Sequence, residues 1–285
     1  MMGLFLPIST LFLVTFTLCS FASETDKQNL KIIKLTNKTQ VSITYGQLTS
    51  EIKNKQLIYI GEKHDNPRHH EIQLKILRDL YKQNHKLAIG MEMFQTRFQG
   101  IVNSYIFGDL SESDFIDQTE YKKRWGYDYD LYRPIIDFAK LNKIPLITLN
   151  IESEVTKKIS KHGISNLKAV WLNKLPLQID FSNNSYRNDL YEIFKEHPKS
   201  SQRGFERFYS IQLVWDEFMA EQISNYKKSN PDYRVIVLAG NGHLAYSHGI
   251  PSRVYKRINE PYSVILNDAE NKDGIADYII NSLNE

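Results

Sequence analysis

The stretch Arg234-Val235-Ile236-Val237-Leu238-Ala239-Gly240-Asn241-Gly242-His243 decides the fold. Its unbroken apolar run is too short for a helix and is rich in β-branched residues. That is the pattern of a strand covered on both faces. The run stops at a glycine, and a histidine follows within the turn. The same grammar occurs upstream, where Gln56–Ile60 (QLIYI) runs into Gly61-Glu62-Lys63-His64. Lys86–Met91 (KLAIGM) leads to Glu92, Pro145–Leu149 (PLITL) leads to Asn150, and Tyr262–Leu266 supplies a fifth run. Helical patterns separate these runs. Asn66 is a good N-cap with Pro67 at the first helical position, and Ile72, Ile76, Leu77 and Leu80 keep helical spacing to about Gln83. Asp130 reads as the cap of another helix, with Ile135, Ile136, Phe138 and Leu141 on its apolar face. The alternation predicts an α/β fold: a mostly parallel β-sheet flanked by helices, with a smaller helical subdomain.

The subdomain follows from where the alternation breaks. Gln95–Tyr127 reads as helices, with Ser111-x-x-Asp114 resembling a capping box. Glu152–Lys199 reads as short helices and a polar loop over Asp180–Ser185. A long helix from about Arg203 to Lys228 then returns to the sheet, and its stripe of Phe205, Phe208, Ile211, Trp215, Phe218, Met219 and Ile223 is core. The expected organisation is a signal segment over 1–22, an α/β domain from 23–150 and 204–285, and a helical subdomain over 151–203.

The 285 residues carry 36 Lys+Arg against 33 Asp+Glu, a net charge of +3, which excludes a dedicated nucleic-acid binder. The single cysteine, Cys19, excludes an internal disulfide framework and thiolate zinc clusters. Met1–Ser23 has no charged residue, and Leu4–Leu18 is almost wholly apolar, as in a secretory signal. Two processing routes compete. Ser20-Phe21-Ala22 fits cleavage before Ser23, giving a soluble periplasmic protein. Thr17-Leu18-Cys19 instead resembles a bacterial lipobox, with Leu18 where a smaller residue is preferred. In that case Cys19 is lipidated and the protein is held at a membrane by its lipid anchor. Either route exports the chain to the cell envelope.

Ligands of open α/β sheets bind beyond the carboxyl ends of the strands. The residues expected there are Glu62, His64, Glu92 and His243. Two imidazoles and two carboxylates can hold a divalent zinc, manganese or iron ion, or act as acid and base on a substrate. They can equally pair with each other, Glu62 with His64, and brace the loops. Tyrosine is abundant, at 17 residues, and densest between Arg124 and Arg133, where Tyr127, Tyr129 and Tyr132 lie. Tyr246 falls three residues past His243. A tyrosine phenolate can ligate ferric haem iron, although packing is the commoner role of the side chain.

Taken in order, GEKHDN, GMEMF, RWGYDYDLYRPIIDFAK, WDEFMA and VLAGNGHLAYSHGIPSRV resemble the ChaN haem-binding lipoproteins of bacteria, from about Leu57 to Arg257. The wider group, similar to the Tiki proteases and erythromycin esterases, shares paired Gly-x-x-His elements and two glutamates, here Gly61/His64, Gly240/His243, Glu62 and Glu92. The resemblance implies an envelope-associated haem protein serving iron uptake, its partners being haem itself, a second copy of the chain and an outer-membrane haem receptor. In the family a dimer holds two haems face to face. Each iron takes a tyrosine from one subunit, and a histidine of the other contacts a propionate. Tyr246, Tyr127 and Tyr132 are the tyrosines this implies, with His248 a further cofactor-binding residue. The competing implication is a metal-dependent hydrolase, in which His64 and His243 hold metal or substrate and Glu62 or Glu92 activates water.

Overall fold

The computed structural model describes residues 30–36, 39–196 and 201–282. The signal segment and Cys19 lie outside these residues. The strands are β1 (Leu30–Thr36), β2 (Thr39–Ile43), β3 (Leu57–Glu62), β4 (Leu87–Gln95), β5 (Leu146–Asn150), β6 (Arg234–Gly240), β7 (Tyr262–Asn267) and β8 (Tyr278–Ser282). The helices before the fifth strand are α1 (Tyr45–Ile52), α2 (Pro67–Gln83), α3 (Gln99–Phe107), α4 (Glu112–Gln118), α5 (Tyr121–Arg124) and α6 (Arg133–Leu141). After it come α7 (Ser153–His162), α8 (Ala169–Leu172), α9 (Asn184–Lys195), α10 (Gln202–Ser229), α11 (Asn241–Leu244) and α12 (Ile250–Ile258).

The strands form one sheet in the order β2-β1-β8-β7-β3-β6-β4-β5. Pairing is parallel from β8 across to β5, and antiparallel where β1 meets β8 and β2. The fold is therefore α/β with a mostly parallel sheet, as the alternation predicts. All five expected strands are present. Three more, β1, β2 and β8, were not expected, because their sequences lack a long apolar run. β2 is exposed almost throughout, and an edge strand that faces water needs no continuous apolar stretch.

Side chains alternate across the sheet. Ile58, Ile60, Ile89, Met91, Ile236 and Leu238 face a core shared with α1, α2, α3 and α6. Leu57, Tyr59, Ala88, Val235, Val237 and Ala239 face the opposite core, covered by α10 and α12. Asn66 caps α2 by accepting from the Arg68 N–H at 3.0 Å, with Pro67 at its start. Asp130 is not a cap: Asp128 caps a single 3-10 turn over Tyr129–Leu131, and Tyr132 is the N-cap of α6. The polar loop ends earlier than expected, because Asn183 caps α9 through the Tyr186 N–H. Helix α7 buries Val155 and Ile159, and the segment before α8 buries Leu167, against Val214 of α10, while α9 buries Tyr186 and Leu190 against Phe205, Tyr209 and Leu213. These clusters are separate from the two sheet cores.

Candidate functional site

The parallel strands end together, so their last residues share one edge of the sheet. Glu62 ends β3, Glu92 lies in the last half of β4, and Gly240 ends β6. His64 follows β3 in the turn before α2, and His243 sits on α11. The four expected residues thus converge, and the structure adds three partners from helices.

Glu62 is buried and surrounded by donors. Tyr132 Oη donates to its Oε1 at 2.6 Å, and His64 Nδ1 lies 2.9 Å from the same oxygen. Gln73 Nε2 donates to Oε2 at 2.8 Å, and His70 Nδ1 approaches it at 3.4 Å. Helix α2 delivers His70 and Gln73 one turn apart on its buried face, and the start of α6 delivers Tyr132. Burial alone would push the Glu62 carboxyl up. The hydrogen bonds from His64 and His70 outweigh it and hold the group down at about 2. His70 has oxygens at both ring nitrogens, since Nε2 donates to the His64 carbonyl at 3.1 Å. Burial opposes its charge, but the Glu62 carboxylate wins and raises its pKa. His64 is raised in the same way, against burial, by Glu62 and then Glu92.

The second arm is tighter. His243 Nδ1 lies 2.7 Å from Asp216 Oδ1, and Nε2 lies 3.4 Å from Glu92 Oε1. The Gly240 N–H donates to Glu92 Oε2 at 2.8 Å. An imidazole between two carboxylates is held as the cation. Burial acts against this, yet Glu92 and Asp216 lift its pKa well above the ordinary histidine range. Burial would raise the Glu92 carboxyl, but His243 and His64 hold it below the usual range. Asp216 is fully buried and also accepts from Tyr186 Oη, which ties α9 to the site.

The arms meet at glycines. A Cβ on Gly240 would sit 3.0 Å from His64 Cε1 and 3.8 Å from Glu92 Oε2, so the His64 ring occupies the space a side chain would need. A Cβ on Gly61 would fall 2.1 Å from Asn241 Oδ1 and 2.8 Å from Leu266 Cδ2. Trp125 and Tyr127 cover the outer face of His64, with ring centroids 4.8 and 4.9 Å away.

Asp216, His70 and Gln73 were not among the expected site residues. Asp216 had a readable signal: it lies on the stripe Tyr209, Leu213, Asp216, Ala220, Ile223 of α10, where an acid is out of place unless paired. His70 and Gln73 had none, because pairing across 62–73 depends on how α2 packs.

The donor set bears on the expected metal. Among the described residues no group of three or more His, Cys, Asp or Glu side chains is arranged to hold a metal ion. The ring nitrogens and carboxylate oxygens above already face one another.

The tyrosines separate by exposure. Tyr132 is fully buried, with its hydroxyl committed to Glu62, which takes it away from any surface ligand. Tyr127 is exposed beside His64. Tyr246 is half-buried. Its ring stacks on His248 at 5.5 Å, and His248 Nδ1 lies 2.8 Å from Asp189 Oδ2 of α9. Tyr246 and Ser247 have φ of 55° and 56°, two consecutive non-glycine residues in the left-handed region. Such strain persists only where surrounding structure enforces it and clusters at functional sites. Here the Tyr246 N–H is anchored to the Ile275 carbonyl at 2.7 Å.

A sequence profile described as "Haem-binding uptake, Tiki superfamily, ChaN" matches residues 48–254. No curated protein sequence matches the chain. Among solved structures, "Cofacial heme binding to ChaN of Campylobacter jejuni" is similar at a TM-score of 0.69 and 20% identity, over 88% of this chain and 96% of that one. An erythromycin esterase in its open conformation is similar at a TM-score of 0.48 and 11% identity, over 84% of this chain and 76% of that one.

Proposed function

The chain belongs to the ChaN haem-binding uptake family of the Tiki superfamily, and from that membership we propose that it binds haem at the cell envelope, serving haem or iron acquisition or transient storage. Tyr246 carries the reading to particular atoms. Its backbone is held in the left-handed region, and its ring lies against His248, which Asp189 orients. Bound haem would supply a ferric iron that takes an anionic oxygen ligand, and propionates that take N–H donors. Tyr246 fits the first need and His248 the second. Tyr127 is the alternative ligand on exposure, and Tyr132 would have to leave Glu62 to serve.

The reading extends to the assembly and location. Two copies would share haem between them, with the 151–203 helical subdomain beside the sheet domain. Export would follow the uncharged 1–22 segment. Lipidation at Cys19 would tether the protein to the outer membrane, where a haem receptor is the natural partner.

Haemin titration tests the core of this. A Soret shift is expected for the wild type and should be lost or weakened at least tenfold in Tyr246→Phe. No shift in the wild type would defeat the proposal, and a loss confined to Tyr127→Phe would move the ligand. Haem held between subunits should favour the dimer by mass action, so a monomer in sedimentation at saturating haem would remove the dimer. Intact mass of the exported protein separates an acylated Cys19 from cleavage before Ser23.

A second reading has its own observation, the buried Asp216–His243–Glu92 array beside Glu62 and His64. A hydrolase would use such an array with His243 oriented by Asp216 and a carboxylate handling a proton. Ester or amide turnover that disappears in His243→Ala would support it. A metal-dependent form requires stoichiometric metal lost in the His64→Ala, His243→Ala double variant.

A further inference from the structure

Helices α7 and α8 carry an outward surface that the haem site and the carboxylate–imidazole network do not use. Residues 155–179 contain five lysines (157, 158, 161, 168 and 174) and no Asp or Glu; with a whole-chain charge of +3, the other 260 residues carry −2. The net positive charge of the chain is therefore carried by this stretch.

Its geometry sorts the side chains into two layers. Val155, Ile159 and Leu167 point inward onto α10. Lys157 and Lys161, one turn apart on α7, are exposed, as is Lys168 before α8. These three make no ion pair among the described residues. Trp171 of α8 is half-buried against that inward cluster, with Lys158 Nζ at 5.6 Å and Lys174 Nζ, itself paired with Glu152 at 2.7 Å, at 6.0 Å from its ring. Beside it Val170 and Leu172 are 60% and 45% exposed, and Leu177, just beyond, is 93% exposed. Singly exposed apolar residues are ordinary. Exposed leucines and a valine set among lysines, with no acid in the stretch, match the composition of a face that lies in a bilayer interface.

We infer that the outward face of α7 and α8, continued to Leu177, seats on the surface of an anionic phospholipid bilayer. The lysines meet the lipid phosphates, and Val170, Leu172 and Leu177 enter the acyl boundary. Charge complementarity selects this occupant over a neutral apolar partner. The inference rests on neither haem binding nor lipidation.

The test is co-sedimentation of the full chain with phosphatidylcholine vesicles and with mixed phosphatidylcholine–phosphatidylglycerol vesicles. The wild type should bind the mixed vesicles and release from them as salt rises. Each lysine near such a surface contributes roughly fivefold, so K157E/K161E/K168E should lose on the order of a hundredfold or more. L172S/L177S should lose binding that salt does not restore. Both variants change exposed side chains, and unchanged haemin titration and circular dichroism would show them folded. Equal binding to both vesicle types would overturn the inference, as would wild-type binding by both variants, which would place the lipid contact elsewhere in the chain. Absence of vesicle binding by the wild type would also overturn it, whether or not the face captures an acidic protein.

Discussion

The two Gly-x-x-His arms look equivalent in sequence and differ in the folded protein. His64 lies at the rim, with its side chain 23% exposed, one carboxylate at Nδ1 and two aromatic rings over it. His243 is 12% exposed and clamped between Asp216 and Glu92. The difference comes from what packs behind each turn. Behind the first lies α2, which satisfies Glu62 through His70 and Gln73, leaving His64 as one donor among four. Behind the second lies α10, which supplies a single charged partner that nothing else replaces. The first arm is a redundant network; the second is a clamp.

The largest expected effect breaks the clamp. Asp216→Ala leaves a buried imidazolium with one carboxylate and leaves the Tyr186 hydroxyl without its acceptor. Denaturant unfolding should show a loss of about 3–5 kcal/mol, with Asp216→Asn intermediate. A loss under 1 kcal/mol would mean that Glu92 alone suffices.

The next sharpens the comparison through pH. Glu62 is depressed on folding from an ordinary 4.5 to about 2, so its contribution is present above about pH 4.5 and lost as the pH falls through about 2. The amount is on the order of 3 kcal/mol. His243 is raised on folding from an ordinary 6.5. Its contribution is full below that value and lost as the pH rises through the folded-state pKa. Thermal stability should peak between the two, the acid limb flattening in Glu62→Gln and the alkaline limb in His243→Gln. If Glu62→Gln leaves the acid limb unchanged, Glu62 is not the group that sets it.

Gly61→Ala tests the join between the arms. Its methyl would collide with Asn241 Oδ1 and Leu266, and overpacking of this kind costs about 1–3 kcal/mol. The smallest effect is expected at the rim. His64→Ala should cost about 1–2 kcal/mol, because Tyr132, Gln73 and His70 still serve Glu62. A His64 loss as large as that of Asp216 would make the arms equivalent and remove the distinction.

The apolar runs from Leu57 to Asn267 were legible because strands buried on both faces must be apolar throughout, whatever their neighbours. The first and fourth runs end at glycines, Gly61 and Gly240, that let the chain turn, and the residues at the strand ends placed Glu62, His64, Glu92 and His243 at one edge. The edge strands were not legible, since β2 is almost wholly exposed and carries no such requirement. Tyr127, Tyr132 and Tyr246 could not be told apart either, because exposure belongs to packing: one covers His64, one is sealed against Glu62, and one is half-buried in a strained turn.

Sequence alone thus determined the α/β architecture and the composition of the sheet edge, both of which follow from local periodicity and residue type. Only the tertiary structure decided which charge meets which. Asp216 lies 27 residues from His243, Tyr132 lies 70 from Glu62, and Glu92 lies 148 from the Gly240 N–H it accepts. A carboxylate buried at such a junction is stable only when its partners arrive from other elements, and the helix packing that brings them is not written in any one segment.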